Sequence, residues 1–246
     1  MISRQFQKAL DVALGGMQSQ SGIGTLGEKT LHSVIKHYIE PDRAKHEVKV
    51  GAYVADIITD GGIIEIQTRA FDKLRKKLAV FLEISHVTLV YPLPKTKWLL
   101  WVDGETGEVS KKRKSPKHGV VNDAIPELYK IKHLLGHPGF RLCIIFADVE
   151  EYRYLDGWSG DRKRGSTRCD RVPVGIAGEV RIDSAADFAK FIPQGLCERF
   201  TSKDYKEASK TTLRTSQTAL NILNHLGVVR RVGKQGNSYV YERAGG

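Results

Sequence analysis

The strongest constraint on the fold is the stretch 54–67, in which two runs rich in β-branched residues meet at an Asp-Gly-Gly corner. An Asp-Gly pair tolerates the positive φ angles of a tight antiparallel turn, so the stretch predicts a β-hairpin. Because side chains alternate along a strand, Glu65 and Gln67 share a face, and Asp56 can turn toward them from the partner strand. Carboxylates are costly to bury unless they are compensated, and a hard divalent cation bound through oxygen is the simplest compensation.

These residues also resemble a known family. Asp56, Glu65 nine positions later and Gln67, with a helix before them, resemble the core of the PD-(D/E)xK nuclease superfamily, which includes many restriction enzymes and Holliday-junction resolvases. The resemblance covers roughly residues 25–92. Ala55 stands where the family often has Pro, and Gln67 stands where it usually has Lys. The resemblance implies a restriction-endonuclease-like α/β fold, with a mixed sheet flanked by helices.

The resemblance also implies a metal site and a reaction. Asp56 and Glu65, together with the main-chain carbonyl of Ile66, would hold Mg²⁺ or Mn²⁺. The bound ion polarises the scissile phosphate of DNA and lowers the pKa of an attacking water. Gln67 would position that water or the phosphate. The other interpretation of the stretch is an ordinary hairpin whose carboxylates are solvated.

Glu28 is a third acidic candidate, and it has two interpretations. It lies three residues after Thr25, so the two can form a capping box at a helix N-terminus. Leu31, Ile35 and Tyr38 follow at helical steps, which places Glu28 at the edge of the face that docks onto the sheet. In the resembled family, a helix glutamate here reaches the metal directly or through water.

Because Gln67 carries no positive charge, a nearby cation is expected to supply it. Arg69 and Lys73 lie within about one helical turn of Gln67 and are the candidates, with Lys73 preferred as the catalytic residue. His32 and His37 are five residues apart and do not share a helix face, which argues against a two-histidine metal site.

Composition limits the partners. The chain has a formal net charge of +11, which favours a polyanion, because each neutralised phosphate releases counterions. Nucleic acid leads over an anionic membrane, since no stretch reaches the roughly 20 apolar residues of a spanning helix. Cys143, Cys169 and Cys197 have no paired metal spacing. Without an apolar export block in the first residues, the sequence predicts a cytoplasmic protein.

Periodicity predicts a first domain over residues 1–183 with alternating helices and strands. Double glycine and proline are expected to end a helix and a strand, respectively. The predicted helices cover 3–14, 70–83 and 124–135, and the predicted strands cover 45–50, 87–91, 98–102 and 142–146, with a short strand pair over 171–182.

Two basic segments suit phosphate contact. Residues 111–114 read Lys-Lys-Arg-Lys in a predicted loop or hairpin end, and a solubilising role is the alternative. Residues 156–171 are rich in Gly, Ser, Arg and Lys and contain Trp158, which suits gripping a nucleic-acid backbone.

Residues 184–246 predict a second, small domain that is similar to a winged helix. Helices are expected over 187–192, 202–208 and 213–226, followed by two strands around the turn 233–237. Ser202 is the expected cap of the second helix. Winged helices bind DNA or mediate protein contacts, and the basic wing favours DNA.

The third of these helices would read duplex DNA in the major groove. Its expected buried face contains Leu213, Ala219, Leu220, Leu223 and Leu226. The outward residues would contact DNA together with cations of the wing, and the predicted contact residues are Arg214, Thr215, Gln217, Thr218, Arg231 and Lys234, with Asn221, Lys210 and Arg230 beside them.

The sequence thus predicts a Mg²⁺-dependent endonuclease of restriction or repair type, delivered to duplex DNA by the winged helix. A homodimer would suit two coordinated cuts. The alternative is a non-catalytic DNA-binding regulator whose nuclease-like domain has lost its chemistry. An RNA-directed nuclease is less favoured, because a winged helix usually meets duplex DNA.

Overall fold

The computed structural model describes residues 3–18, 29–154 and 167–244. The α-helices in these ranges are α1 (Arg4–Gln18), α2 (Lys29–Ile39), α3 (Arg75–Ile84), α4 (Ile125–Lys130), α5 (Ser202–Ser209) and α6 (Leu213–His225). The strands are β1 (His46–Val50), β2 (Tyr53–Thr59), β3 (Gly62–Ile66), β4 (Val87–Val102), β5 (Arg113–Lys114), β6 (Phe140–Tyr154), β7 (Arg168–Ile182), β8 (Arg199–Thr201), β9 (Val229–Gln235) and β10 (Ser238–Arg243). In the part of the chain described, no helix is both long and apolar enough to cross a membrane.

The strands form two sheets, and the fold is α/β. The larger sheet has seven strands in the order β1-β2-β3-β4-β6-β7, with β5 beside β4. It is mixed, because β1 and β2 are antiparallel, with Val48 opposite Ala55, whereas β3 and β4 are parallel, with Glu65 opposite Leu89. The smaller sheet has the order β8-β10-β9.

The chain divides into two compact units, each assembled from separate segments. Unit 1 comprises residues 1–59, 92–119 and 145–179, and unit 2 comprises residues 60–91, 120–144 and 180–246. Unit 2 therefore includes all of the predicted second domain, together with parts of the predicted first domain.

In unit 1, α1 packs on α2 through small and aromatic side chains. Phe6, Ala9, Ala13 and Val34 form a buried cluster, and the Phe6 ring meets Tyr38 edge-on with ring centroids 6.1 Å apart. The predicted end of this helix at the double glycine is wrong, since α1 continues to Gln18. A helical glycine costs only about 1 kcal/mol relative to alanine, so it weakens a helix without ending it.

The strand β4 contradicts the prediction of two short strands separated by prolines. It runs for 16 residues through Pro92 and Pro94. Proline has no N–H to donate, but its fixed φ is compatible with extended backbone, so it removes hydrogen bonds without bending the strand. Gly119 approaches Pro94 so closely that an added Cβ would lie 2.1 Å from the Pro94 carbonyl oxygen, and the Gly119 amide donates to the Lys95 carbonyl at 3.0 Å.

Two predicted helices are broken into shorter pieces. The stretch 70–83 begins as a 3₁₀ turn at Phe71–Leu74 before α3, and the stretch 124–135 consists of α4 between 3₁₀ turns at Val121–Ala124 and Lys132–Leu134. Fully buried Ile131 leaves helical geometry at the junction, with φ −117° and ψ 22°. Burial of that side chain overrides local helix propensity. The predicted strand pair over 171–182 is also wrong, because β7 is one continuous strand.

The C-terminal region follows the predicted element order with small shifts. Its first helical element is a 3₁₀ helix, Ala186–Phe191, and β8 precedes α5. The cap of α5 is Thr201 and not the predicted Ser202. The Thr201 hydroxyl accepts hydrogen bonds from the backbone amides of Lys203 and Asp204. In return, the Asp204 carboxylate accepts a hydrogen bond from the Thr201 amide at 2.7 Å, which completes a capping box.

Candidate functional site

Asp56 lies on β2 in unit 1, between Ala55 and Ile57, which are fully buried. Alternation of the strand turns Asp56 to the other face, where its side chain is 20% exposed. The helix α2 supplies its neighbour, since His32 Nε2 lies 3.2 Å from Asp56 Oδ2. The predicted metal ligand is therefore half-buried and next to an imidazole.

A second acidic residue stands near Asp56. The pairing of His46 with Ile57 and of Val48 with Ala55 brings Glu47 alongside Asp56. Glu47 has φ +53°, which is rare for a residue with a side chain and marks local backbone strain. Lys36 Nζ donates to Glu47 Oε1 at 2.7 Å. This hydrogen bond lowers the pKa of Glu47, and the charge of Asp56 acts in the opposite direction.

Glu47, Lys36 and the contact of His32 with Asp56 were not among the features predicted for the site. The available signal was the four-residue spacing of His32 and Lys36, which puts both on one face of α2. Only His32 and His37 had been considered as a pair, and their five-residue spacing argued against a shared helix face. The positive φ at Glu47 has no sequence signal, because glycine or asparagine is the usual residue there.

Glu65 lies on β3 in unit 2 and is only 2% exposed. The helix α3 brings Lys77 to it, and Lys77 Nζ donates to Glu65 Oε2 at 2.6 Å. Such a buried carboxylate needs a compensating cation, and the distance is that of a charge-assisted hydrogen bond.

A cation that contacts Glu65 is Lys77, four residues after the predicted Lys73. Lys73 is exposed and belongs to the 3₁₀ turn that precedes α3. Ala70 has φ +57°, so the chain turns sharply before this helix, which changes which lysine faces β3. Gln67 continues the pairing of β3, with its amide donating to the Val90 carbonyl at 2.9 Å, while its side-chain nitrogen donates to the Arg69 carbonyl at 2.6 Å.

The acidic residues have the chemistry that Mg²⁺ prefers, since carboxylates and carbonyls are hard oxygen ligands. Within residues 3–18, 29–154 and 167–244, no group of three or more His, Cys, Asp or Glu side chains is placed to hold a metal ion. Glu28 lies outside these ranges. A divalent ion would therefore need oxygen atoms from main chain, water or a DNA phosphate in addition to Asp56 or Glu65.

The helix α6 departs from the predicted division into faces. Ala219, Leu220 and Leu223 are buried as expected, but Leu213 is 38% exposed and Leu226 is half-buried. Ile222, which the prediction omitted, is fully buried. Packing of α6 against the remainder of unit 2 has thus shifted its buried face toward Ile222.

The predicted DNA contacts on α6 fall into two classes. Arg214 and Gln217 are exposed. Thr215 and Thr218 are half-buried, and both hydroxyls are used locally. The Thr215 hydroxyl meets the Thr212 hydroxyl at 2.9 Å, and the Thr218 hydroxyl donates to the Arg214 carbonyl at 2.8 Å. Beside them, Asn221 Oδ1 accepts from Lys132 Nζ at 3.0 Å.

The strand β9 carries exposed cations that stack on tyrosine side chains of β10. The Arg231 guanidinium lies 4.2 Å from the ring centroid of Tyr239, and Lys234 Nζ lies 5.2 Å from the same centroid. Arg231 Nε also donates to the Tyr241 hydroxyl at 3.3 Å. Both predicted cations are thus ordered by aromatic rings while staying accessible to solvent.

The two basic segments differ from their predictions. Residues 113–114 form β5 beside β4, and Lys112 pairs with Glu150. Most of the segment 156–171, including Trp158, lies outside the described residues. Its last residue, Arg171, lies within β7 and not in a loop.

Arg171 instead contributes to a cluster around a buried carboxylate in unit 1. Glu151 is fully buried, and its two oxygens accept from Arg153 Nε and Arg171 Nε, each at 2.8 Å. Lys97 Nζ lies 3.7 Å away. Burial by itself would raise the pKa of Glu151, but the positive charges of Arg171, Lys97 and Arg153 hold it at about 2.

Comparison with known proteins gives a family and one relative. The family model described as "Domain of unknown function (DUF8091)" matches residues 29–183. An uncharacterized protein of Treponema pallidum (strain Nichols) is 26% identical over 222 residues, which cover 90% of this chain and 87% of the relative. No solved structure matches the chain.

Proposed function

The chain belongs to the DUF8091 family, and we propose that it is a metal-dependent endonuclease that hydrolyses phosphodiester bonds of duplex DNA. The observation that carries the proposal is the position of Glu65, a glutamate that is almost inaccessible to water and ion-paired with Lys77. Burial of an ionised carboxylate is costly, so such residues are frequent at functional sites. Glu65, at the glutamate position of the resembled nuclease motif, is thus shielded from water and ion-paired with Lys77.

The proposed ligands of Mg²⁺ or Mn²⁺ are Asp56, Glu65 and the Ile66 carbonyl, with Glu28 as a further candidate. When bound, such an ion polarises the scissile phosphate and acidifies a water molecule. His32 Nε2 lies 3.2 Å from Asp56 Oδ2 and is positioned to donate to that carboxylate and hold it in place.

We assign to Lys77 the positive charge that Gln67 lacks. Its ammonium group compensates the buried Glu65 carboxylate and orients it through the 2.6 Å hydrogen bond. In the nuclease proposal, the same charge opposes the build-up of negative charge on the phosphate during attack. Gln67 then orients the attacking water through its side-chain oxygen, because its side-chain nitrogen already donates to the Arg69 carbonyl.

The proposed winged helix, residues 184–246, would deliver this chemistry to DNA. The order of its elements and the sheet order β8-β10-β9 support that assignment. Arg214 and Gln217 near the start of α6 are exposed and are the proposed base-reading residues. Arg231 and Lys234 on β9 would contact phosphates.

A nicking assay tests the proposal. Supercoiled plasmid is incubated with the full chain and Mg²⁺ or Mn²⁺, and nicked circles are expected to accumulate only when metal is present. Asp56→Ala and Glu65→Ala are each expected to reduce nicking by about 1,000-fold. Glu83→Ala, which removes an exposed carboxylate from α3, is the matched control and should retain wild-type nicking.

The second candidate function is a DNA-binding regulator without catalysis. Two observations favour it, namely the amide at Gln67 where the nuclease motif has lysine, and the scarcity of clustered metal ligands among the described residues. DNA binding that needs no metal, with no nicking by the wild-type chain in Mg²⁺ or Mn²⁺, would establish this alternative.

The proposal also includes a cellular location and an oligomeric state. A cytoplasmic location would give access to chromosomal or invading DNA, and a homodimer would allow paired cuts. Sedimentation of the chain with and without a DNA duplex measures whether it forms a homodimer.

A further inference from the structure

A cavity of about 420 Å³ lies in unit 1 between α1, α2, the 3₁₀ turn at Arg43–Lys45 and β1. This volume falls within the range of sites that hold small organic ligands. Val12 and Ala13 of α1 form an apolar wall, and the other wall is polar and mostly basic. The cavity is therefore amphipathic.

The basic wall has more positive than negative charge. Lys36 and Arg43 face the cavity with two imidazoles, and the one carboxylate among the lining residues, Glu47, already accepts from Lys36 at 2.7 Å. In the part of the chain that the structure describes, no carboxylate lies within ion-pair distance of the Arg43 guanidinium. Arg43 therefore presents an uncompensated charge to the cavity.

Two further polar groups of the lining lack partners. Among the described residues, neither the Ser33 hydroxyl nor the His37 imidazole has a hydrogen-bond partner. His46 is fixed beside His37, with ring centroids 4.9 Å apart, because its Nε2 donates to the Glu40 carbonyl at 2.8 Å. Burial lowers the pKa of His37, and the neighbouring charges of His46, Arg43 and Lys36 lower it further. A bound anion would relieve this mutual repulsion.

We propose that this cavity binds a phosphate monoester. The Arg43 guanidinium donates paired hydrogen bonds to the phosphate oxygens, and Ser33 and His37 donate to them as well. Guanidinium groups match phosphate geometry through paired hydrogen bonds, and exposed Arg43, with no carboxylate at ion-pair distance among the described residues, is placed to make them. The wall of Val12 and Ala13 then covers the carbon skeleton of the ester. The phosphate belongs either to a free nucleotide or to the 5′ end of a DNA strand.

This inference is independent of the nuclease proposal, because it uses none of the proposed metal ligands and no divalent ion. The test is titration calorimetry of the full chain in EDTA. The probes are deoxyadenosine 5′-monophosphate, inorganic phosphate, deoxyadenosine, and an oligonucleotide with either a 5′-phosphate or a 5′-hydroxyl end. The monophosphate or the 5′-phosphorylated strand is expected to bind at least about tenfold more tightly than its counterpart without phosphate.

The variants assign the binding to the cavity. Arg43→Ala is expected to weaken the preferred probe by at least about tenfold, whereas Arg4→Ala, which removes an exposed arginine from α1, should leave it unchanged. Tight binding of the monophosphate identifies a free nucleotide as the ligand, and a preference for the phosphorylated strand identifies a DNA end. Equal binding of deoxyadenosine and its monophosphate, no binding of any phosphate probe, or wild-type affinity in Arg43→Ala overturns the proposal.

Discussion

Glu65 and Glu151 are both buried glutamates on strands of the large sheet, and they differ in the cations that compensate them. Glu65 in unit 2 accepts from the flexible ammonium group of Lys77. Glu151 in unit 1 is enclosed by the planar groups of Arg153 and Arg171, with Lys97 nearby. Both carboxylates are ion-paired, but the second one is held by rigid, multidentate partners.

The difference separates a carboxylate suited to chemistry from one suited to structure. Arginine side chains donate hydrogen bonds to both oxygens of Glu151 in a fixed geometry. A metal ion would therefore have to displace these hydrogen bonds. The Lys77 ammonium, on a four-carbon chain, can shift when a cation or a phosphate arrives. Burial and charge alone therefore do not identify an active-site acid, and the nature of the partner must be considered.

The largest expected effect is on DNA cleavage. Glu65→Gln keeps the shape of the side chain but removes its charge, and it is expected to reduce metal-dependent nicking by about 1,000-fold. Glu151→Gln, assayed at a temperature where it remains folded, should nick within about threefold of wild type. An equal loss of nicking activity in the two variants would show that Glu65 and Glu151 do not differ in their role.

The next effect is on stability. The ordinary pKa of a glutamate is 4.5, and the cations around Glu151 lower it to about 2, a difference that corresponds to about 3 kcal/mol at neutral pH. Glu151→Gln should therefore reduce the free energy of unfolding by about that amount in urea at pH 7. A loss below about 1 kcal/mol would show that the cluster contributes little.

The pH dependence of the unfolding free energy tests the contribution of the Glu151 cluster further. Because the folded-state pKa of Glu151 is below its unfolded value, its stabilisation is complete above pH 4.5 and is lost as the pH falls toward 2. The difference in unfolding free energy between wild type and Glu151→Gln should shrink from about 3 kcal/mol at pH 7 to less than about 1 kcal/mol near pH 2.5. A difference that stays constant across this range would contradict the assignment.

The smallest effect concerns DNA binding by arginines in the two settings. Arg231 is stacked on tyrosine but accessible, so Arg231→Gln should weaken duplex binding several-fold and reduce the salt slope by about one. Arg171 is already committed to Glu151, so Arg171→Gln should leave the salt slope unchanged in the folded protein. A reduced slope in Arg171→Gln would mean that the cluster also contacts phosphate.

Local patterns predicted the parts of the fold that local interactions determine. The two strands on either side of the Asp-Gly-Gly corner are present as β2 and β3, with the turn at 60–61. The last two helices and last two strands follow the predicted order, because caps, periodic leucines and a glycine turn are all encoded within a few residues. These elements needed no knowledge of distant contacts.

Features that depend on distant contacts were not accessible in this way. The cluster at Glu151 joins side chains from β4, β6 and β7, whose separation in the chain hides it from any short window. The identity of the lysine that meets Glu65 depends on the 3₁₀ turn before α3, which shifts the helix phase so that Lys77 and not Lys73 faces the strand. The cavity beside Arg43 depends on α1 packing across from β1.

The strands β4, β6 and β7 each begin in one unit and end in the other. Neither unit is therefore a continuous stretch of polypeptide, and no single truncation or proteolytic cut can release one of them intact. Excising the C-terminal 60 or so residues would remove one segment of unit 2 and leave its other two behind. Dissection of this protein consequently has to rely on point substitutions that leave the segments of both units in place.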